Sequence, residues 1–182
     1  MKKGQVRIIA GIWRGRTLKV PDLAGLRPTP DRVRETVFNW LNQAIVGARC
    51  LDAFAGSGAF GFEALSRGAS YVEMVDQAPL VIETLKAALH RFEGLATIYQ
   101  ARVPEELLEV KQAFDIVFID PPYQAGLLLP TCFALEKRKM LAEGAWVYLE
   151  SNSEITEDQL PKGWRLVKSQ RAGEVHYYLA RR

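Results

Sequence analysis

The chain has 182 residues, of which 48% are hydrophobic and 25% are charged, a composition typical of a globular protein with one substantial core. We therefore expect a single domain over 1–182, and we find no repeat or low-complexity tract. The net charge of +3 suits a polyanionic partner without requiring one. No apolar stretch is long enough to span a membrane or to act as a secretory signal, so we expect a cytoplasmic protein with no membrane partner.

The N-terminal segment, 1–25, is basic and prone to form β-structure. Two β-prone runs flank the turn-rich string GIWRG, which predicts a hairpin or ribbon. From the residues alone, this ribbon could contact RNA phosphates or could simply present a solvated face. Trp13 at the turn could be an exposed stacking residue or could cover the core. The arginines that we single out here as candidate substrate contacts are Arg7, Arg14 and Arg16.

The remainder, 26–182, has the pattern of an α/β catalytic core. Thr29, Pro30 and Asp31 predict a helix start, and apolar residues then recur on one helix face. From residue 48 onward, short apolar runs alternate with helical patterns, which predicts a parallel sheet covered on both faces. A final pair of β-prone runs without a helix between them predicts an antiparallel hairpin at the sheet edge. The expected core strands are 50–54, 71–76, 97–100, 114–120 and 145–150, the hairpin strands are 164–170 and 174–180, and the helices after residue 48 are 58–67, 79–92, 104–110 and 127–139.

A glycine-rich loop follows the first core strand. Its three glycines between a strand and a helix favour a nucleotide-like ligand, although such a loop can also be a plain tight turn. Asp52, just before the loop, would repel a pyrophosphate but attract a cationic amino group, which favours S-adenosylmethionine over NAD. Asp76 ends the next strand, where a carboxylate can accept hydrogen bonds from ribose hydroxyls. The cofactor candidates in and beside these strands are Asp52, Phe54, Gly56, Ser57, Gly58, Asp76 and Gln77.

The strand at 114–120 leads directly into the tetrapeptide Asp120-Pro121-Pro122-Tyr123. The exocyclic amine of a nucleobase is a poor nucleophile because its lone pair is delocalised into the ring. Two acceptors, the Asp120 carboxylate and the Pro121 carbonyl, could stabilise the amine as it becomes pyramidal, and Tyr123 could stack on the base. We therefore predict that Asp120, Pro121 and Tyr123 are catalytic. The alternative is an acidic strand end followed by an ordinary Pro-Pro turn.

These motifs together carry a resemblance to a known family. The chain resembles the bacterial small-subunit rRNA guanine-N2 methyltransferases of the RsmD type over nearly its whole length. The strings that carry the resemblance are RIIAGIWRGR (7–16), LRPTPDRVRETVFNWL (26–41), LDAFAGSGAFGFEALSRGA (51–69) and DPPY (120–123).

The resemblance implies a Rossmann-like, seven-stranded class I methyltransferase fold that binds S-adenosylmethionine. It also implies methylation of one guanine of 16S rRNA in the small ribosomal subunit or a late assembly intermediate. Under this reading Arg27, Thr29 and Arg32 lie over the entrance to the site and bind substrate. The chain departs from the class after the strand at 97–100, where an Asp or Asn often lies near the cofactor adenine. Arg102 follows Ala101 there, and its side chain could stack on the adenine instead.

Two other functions remain open on the residues alone. Related tetrapeptides also serve DNA or RNA adenine and cytosine amino-methyltransferases, although the chain has no room for a large DNA-recognition domain. A non-catalytic RNA-binding protein could keep the same fold. Glu150 could border the pocket or could simply end its strand. Cys50 and Cys132 lack metal-ligand spacing, so we expect reduced core cysteines and no metal site. We also expect a monomer.

Overall fold

The computed structural model describes residues 4–23 and 28–182. At the N-terminus, β1 (Gln5–Arg7) and β2 (Thr17–Lys19) pair antiparallel, with Val6 opposite Leu18, as the β-prone runs predict. Val6 and Leu18 are buried against the domain. Trp13 at the turn is 7% exposed and packs edge-on against Phe92 with ring centroids 4.9 Å apart, so it covers the core.

The remaining strands are β3 (Arg49–Asp52), β4 (Tyr71–Asp76), β5 (Ala96–Gln100), β6 (Phe114–Ile119), β7 (Leu141–Ser151), β8 (Arg165–Ala172) and β9 (Val175–Arg181). They form one seven-stranded sheet in the order β5-β4-β3-β6-β7-β9-β8. Strands β3 to β7 are parallel, while β9 runs antiparallel to β7 and to the edge strand β8. The predicted mostly parallel sheet with a C-terminal antiparallel hairpin is thus confirmed.

Helices cover both faces of the sheet, which gives the molecule three layers. The first three helices pack with the ribbon on one face, where they form one apolar cluster. The fourth helix packs on the other face and contributes to a second apolar cluster. The two cysteines are buried and free, one in each cluster. The helices are α1 (Asp31–Leu41), α2 (Ala59–Ser66), α3 (Pro79–Phe92) and α4 (Leu128–Lys137), and short 3-10 helices span Asn42–Ile45, Tyr123–Ala125 and Glu157–Gln159.

The helix expected at 104–110 does not form, so that prediction is wrong. One turn closes where the Glu106 N–H donates to the Arg102 carbonyl, but no helix continues from it. The Arg138 guanidinium donates hydrogen bonds to the carbonyl oxygens of Pro104 and Leu107, which a helix would need as acceptors for its own backbone N–H groups. Leu107 is buried in this irregular conformation.

The parallel strands place their carboxyl ends at one edge of the sheet. The chain runs outward from the centre in both directions, through β4 and β5 on one side and through β6 and β7 on the other. Open α/β sheets bind ligands at such a switch point, outside the carboxyl ends of the strands. Within 4–23 and 28–182, no helix combines the length and the apolarity that a membrane crossing requires.

Candidate functional site

The glycine loop lies at the carboxyl end of β3, between Asp52 and α2. Gly56 and Gly58 have φ angles of +50° and +74°, in the left-handed region that favours glycine. A Cβ on Gly58 would lie 2.6 Å from Leu85 Cδ2 and 2.8 Å from Phe62 Cδ2, so a side chain there would clash with the core. The absence of side chains leaves the loop backbone open to close approach by a ligand.

Asp52 is only 3% exposed beside this loop. Its Oδ2 accepts a hydrogen bond of 2.9 Å from the Gly61 N–H on α2. A Cβ on Gly61 would lie 2.7 Å from the Met74 sulfur, so glycine is what allows α2 to approach this closely. Burial, reinforced by the charge of Asp76, raises the pKa of Asp52 to about 7, although the Gly61 bond opposes the shift. A positive ligand at this position would recover the cost of the buried charge.

Asp76 fastens the loop to the end of β4. Its Oδ2 accepts from the Gly56 N–H at 3.0 Å, and its Oδ1 accepts from the Ala78 N–H at 2.8 Å. Each carboxylate oxygen can accept more than one hydrogen bond, so the group can still bind hydroxyls from outside. The structure thus brings Asp52, Asp76 and the loop to one edge, as the sequence predicts.

The other cofactor candidates surround the same loop. Phe54 is half-buried and Ser57 is buried, while Gln77 and Arg102 border an open cleft of about 360 Å³ together with Gln100, Ala101 and Glu106. The Arg102 guanidinium is held by Glu106 through bonds of 2.9 and 2.5 Å. Stacking of Arg102 on an adenine in this cleft therefore stays a prediction.

The tetrapeptide follows β6, next to β3 in the sheet. The Thr29 hydroxyl donates to Asp120 Oδ2 at 3.1 Å, which leaves Oδ1 as the oxygen not held by Thr29. Burial of the carboxyl group away from water, reinforced by the negative charges of Glu150 and Asp52, raises the pKa of Asp120 well above its usual value. The hydrogen bond from Thr29 opposes this shift. Carboxylates with a raised pKa are common in active sites because they can exchange a proton near neutral pH.

Two tyrosines on one glutamate complete this part of the site, and the sequence did not lead us to assign that glutamate. Tyr123 and Tyr148 each donate a hydroxyl bond of 2.5 Å to Glu150, one to each carboxylate oxygen. The sequence did hold a signal for half of this arrangement. Tyr148 and Glu150 are two residues apart on β7, and this spacing places both side chains on one face of the sheet.

The basic candidates are divided between free surface and packing. Arg7, Arg14 and Arg32 are exposed. Arg16 lies over the Phe92 ring, 4.1 Å from its centroid, and also donates to the Arg91 carbonyl. Thr29 is buried against Asp120, and Arg27 lies outside the described residues.

A buried pair anchors the ribbon to α2, and sequence reasoning did not find it. Glu63 accepts from the backbone N–H groups of Ile9 and Ala10 at 2.7 and 3.0 Å, and from Arg67 at 2.7 Å. Fully buried Arg34 lies 3.7 Å from Glu63 and donates to the Arg7 carbonyl at 2.9 Å. The ribbon is therefore fixed to the same helix that carries Gly61.

Comparison with known proteins agrees with this site. The family model described as Conserved hypothetical protein 95 matches residues 6–181. The ribosomal RNA small subunit methyltransferase D of Escherichia coli K12 is 46% identical over 180 residues, covering 98% of this chain and 91% of that protein. A solved structure of a putative methyltransferase, yhhF, from Escherichia coli has a TM-score of 0.89 at 43% identity and covers 98% of both chains.

A more distant structure shares the fold alone. It is a Thermus thermophilus 16S rRNA N2 G1207 methyltransferase in complex with AdoMet and guanosine, with a TM-score of 0.75 at 21% identity. The matched region covers 98% of this chain and 49% of that structure's chain. The fold and the site together define a class I methyltransferase, so the protein is an enzyme. Within that class, the chain belongs to the ribosomal RNA small subunit methyltransferase D family, the RsmD type that its motifs resemble.

Proposed function

We propose that the protein transfers a methyl group from S-adenosylmethionine to the exocyclic N2 amine of one guanine in 16S rRNA. The observation that carries the proposal is the position of Asp120, held by Thr29 at the sheet edge that also bears the glycine loop. The names of the relatives support rRNA of the small subunit as the substrate. A small subunit or late assembly intermediate as the working substrate, a monomeric state and a cytoplasmic location stay predictions.

The residues of the loop fit the cofactor. When bound, S-adenosylmethionine supplies an electrophilic methyl group on a sulfonium. The backbone at Gly56 and Gly58 can approach it closely, Asp52 can pair with its positive amino group, and Asp76 can accept from its ribose hydroxyls. Phe54, Ser57, Gln77 and Arg102 are the further residues that we propose to contact it.

Asp120 and Pro121 would act on the amine. Oδ1 of Asp120 can accept one N–H, and the Pro121 carbonyl can accept the other, while Thr29 keeps the carboxylate in place. These two acceptors stabilise the amine as its lone pair leaves conjugation with the ring. The nitrogen gains the new N–C bond as the bond between the methyl carbon and the sulfur breaks, and it must lose one proton. The raised pKa of Asp120 makes this carboxylate a suitable acceptor for it.

Tyr123 would receive the face of the base. This residue is 40% exposed at the start of the 3-10 helix Tyr123–Ala125. An aromatic ring at this position can stack on an extruded base, a contact worth roughly 1–3 kcal/mol per base.

The exposed arginines of the ribbon should bind RNA phosphates. Replacing both Arg7 and Arg14 with Glu should weaken binding of small subunits and reduce the slope of log K against log salt by about 1.4–1.8, because two phosphate contacts are lost. Cofactor affinity should not change. The control reverses two exposed charges elsewhere, Lys111 and Lys137. If the ribbon variant and the control variant both have the same salt slope as the unmodified protein, the RNA surface lies elsewhere. Arg16 is left intact because its packing on Phe92 supports the ribbon.

Three substrates test the proposed activity. Labelled methyl groups from S-adenosylmethionine should enter small subunits taken from an unmethylated strain faster than protein-free rRNA, and duplex DNA should stay unlabelled. This order follows if specificity comes from the shape of a folded RNA–protein surface. A preference for duplex DNA would overturn the proposal and would favour a DNA amino-methyltransferase. Cofactor binding without transfer to any substrate would favour a non-catalytic RNA-binding protein.

A further inference from the structure

We propose that Glu150 is a positioning residue, which holds Tyr123 in its stacking orientation and places a negative charge beside Asp120. The inference rests on the proposed function, since it concerns the same site. It adds a residue that neither the tetrapeptide nor the glycine loop contains.

The first argument is the geometry of Glu150. The side chain is 5% exposed, at the carboxyl end of β7. Both of its oxygens accept tyrosine hydroxyls, from Tyr123 and Tyr148, at 2.5 Å each. The ion pairs among the described residues do not include Glu150. Burying a carboxylate without a cation beside it is costly. Two tyrosine hydroxyls offset that cost only in part, so a purely structural role is a weak explanation for Glu150 at this position.

The second argument concerns the mobility of Tyr123. The residue is 40% exposed and begins a 3-10 helix of three residues, so packing alone constrains its side chain little. The bond from its hydroxyl to Glu150 fixes the end of the side chain. A ring fixed before the base arrives loses less conformational freedom on binding, which strengthens stacking.

The third argument concerns charge. Strands β6 and β7 pair with Ile119 opposite Leu149, so Asp120 and Glu150 occupy the next positions side by side. The groups acting on Asp120 are Glu150 from β7, Asp52 from β3 and the Thr29 hydroxyl before α1. Tyr123 and Tyr148 direct their hydroxyls to Glu150. Burial raises the pKa of Asp120 most, and the charge of Glu150 raises it further, which makes Asp120 a better acceptor for the proton that the amine loses.

The test compares Glu150→Gln with Glu143→Gln, a matched loss of one charge at the exposed opposite end of the same strand. Glu150→Gln should lower the single-turnover rate about tenfold while cofactor affinity stays within twofold. The acid limb of its pH–rate profile should move to lower pH, because loss of the neighbouring charge lowers the pKa of Asp120. Glu143→Gln should match the unmodified protein in all three measurements. An unmoved acid limb in Glu150→Gln would refute the charge role.

Tyr123→Phe tests the positioning role and does not depend on whether Glu150→Gln folds. It keeps the ring and removes only the hydroxyl, so we expect about a fivefold loss of kcat/KM. In Tyr123→Phe with Glu150→Gln, the loss should be smaller than the product of the two single losses, because one interaction is removed twice. The positioning role is refuted if Tyr123→Phe has the same kcat/KM as the unmodified protein. It is also refuted if the loss in the double variant equals the product of the two single losses.

A titration of the free protein separates this inference from the proposed function. The midpoint for the Asp120 side-chain carboxyl, followed by carbon NMR, should fall in Glu150→Gln and stay constant in Glu143→Gln. If Glu150→Gln does not fold, the unmodified protein decides: an Asp120 midpoint at the ordinary value for aspartate would refute the charge role. Failure of the unmodified protein to methylate small subunits would refute only the proposed function.

Discussion

Replacing Asp120 with alanine should reduce the single-turnover rate by roughly 10²–10⁴-fold, because it removes an acceptor needed chiefly as the amine becomes pyramidal. Affinity for S-adenosylmethionine should change little, since the proposed cofactor contacts lie on β3, β4 and the glycine loop. The fold should also survive. Asp120 is crowded by the charges of Glu150 and Asp52, so its removal relieves repulsion.

Rapid mixing of excess enzyme with unmethylated small subunits would measure the rate, and calorimetry would measure cofactor affinity. The control is Asp158→Ala, which removes the same chemical group from an exposed position in the 3-10 helix Glu157–Gln159. A variant without Asp120 that methylates at the unmodified single-turnover rate would remove this residue from the mechanism.

Asp52→Asn should weaken cofactor binding by roughly 10- to 150-fold and at the same time stabilise the cofactor-free protein. The first effect is the loss of a charge-assisted contact worth about 1.5–3 kcal/mol. The second follows from burial, because the folded protein must hold a carboxylate whose pKa is raised to about 7. An asparagine oxygen can keep the bond from the Gly61 N–H without carrying a charge.

The sign of the pH dependence follows from this raised pKa. In the unmodified protein, folded Asp52 retains its proton up to about pH 7, whereas in the unfolded chain it loses the proton near its ordinary value of 3.8. Its contribution to stability therefore falls as pH rises from about 4 to about 7. The stability gained in Asp52→Asn should grow over the same interval to roughly 4 kcal/mol.

Thermal unfolding and calorimetry between pH 5 and pH 8 would test both parts. Cofactor affinity of the unmodified protein should rise as Asp52 ionises, and that rise should be smaller in Asp52→Asn. Equal cofactor affinities of the two proteins at pH 8 would contradict the assigned role of Asp52. A stability difference that does not vary with pH would contradict the raised pKa.

The order of strands and helices could be predicted from the sequence because each element has a strong local pattern. Strand β4 and helix α3 occur at the predicted residues, since a short apolar run and a proline at the helix start are local signals. The segment 104–110 shows the limit of this reasoning. Its conformation depends on Arg138, which is distant in the chain, and local spacing carries no information about that contact.

The same division applies to the site. Asp52, Asp76 and Asp120 could be predicted because each ends a parallel strand, and topology alone brings such ends together. The roles of Thr29 and Glu150 required coordinates. Thr29 is 91 positions away from Asp120, and Glu150 is 27 positions away from Tyr123, so only the folded chain reveals either hydrogen bond.

Identification of the methylated nucleoside tests the central proposal most directly. Small subunits from an unmethylated strain would be incubated with the protein and labelled S-adenosylmethionine, and their 16S rRNA would then be digested and analysed by mass spectrometry. We predict N2-methylguanosine as the one new product, at a single position in the RNA. Methyladenosine or methylcytidine in its place would contradict the assignment of guanine.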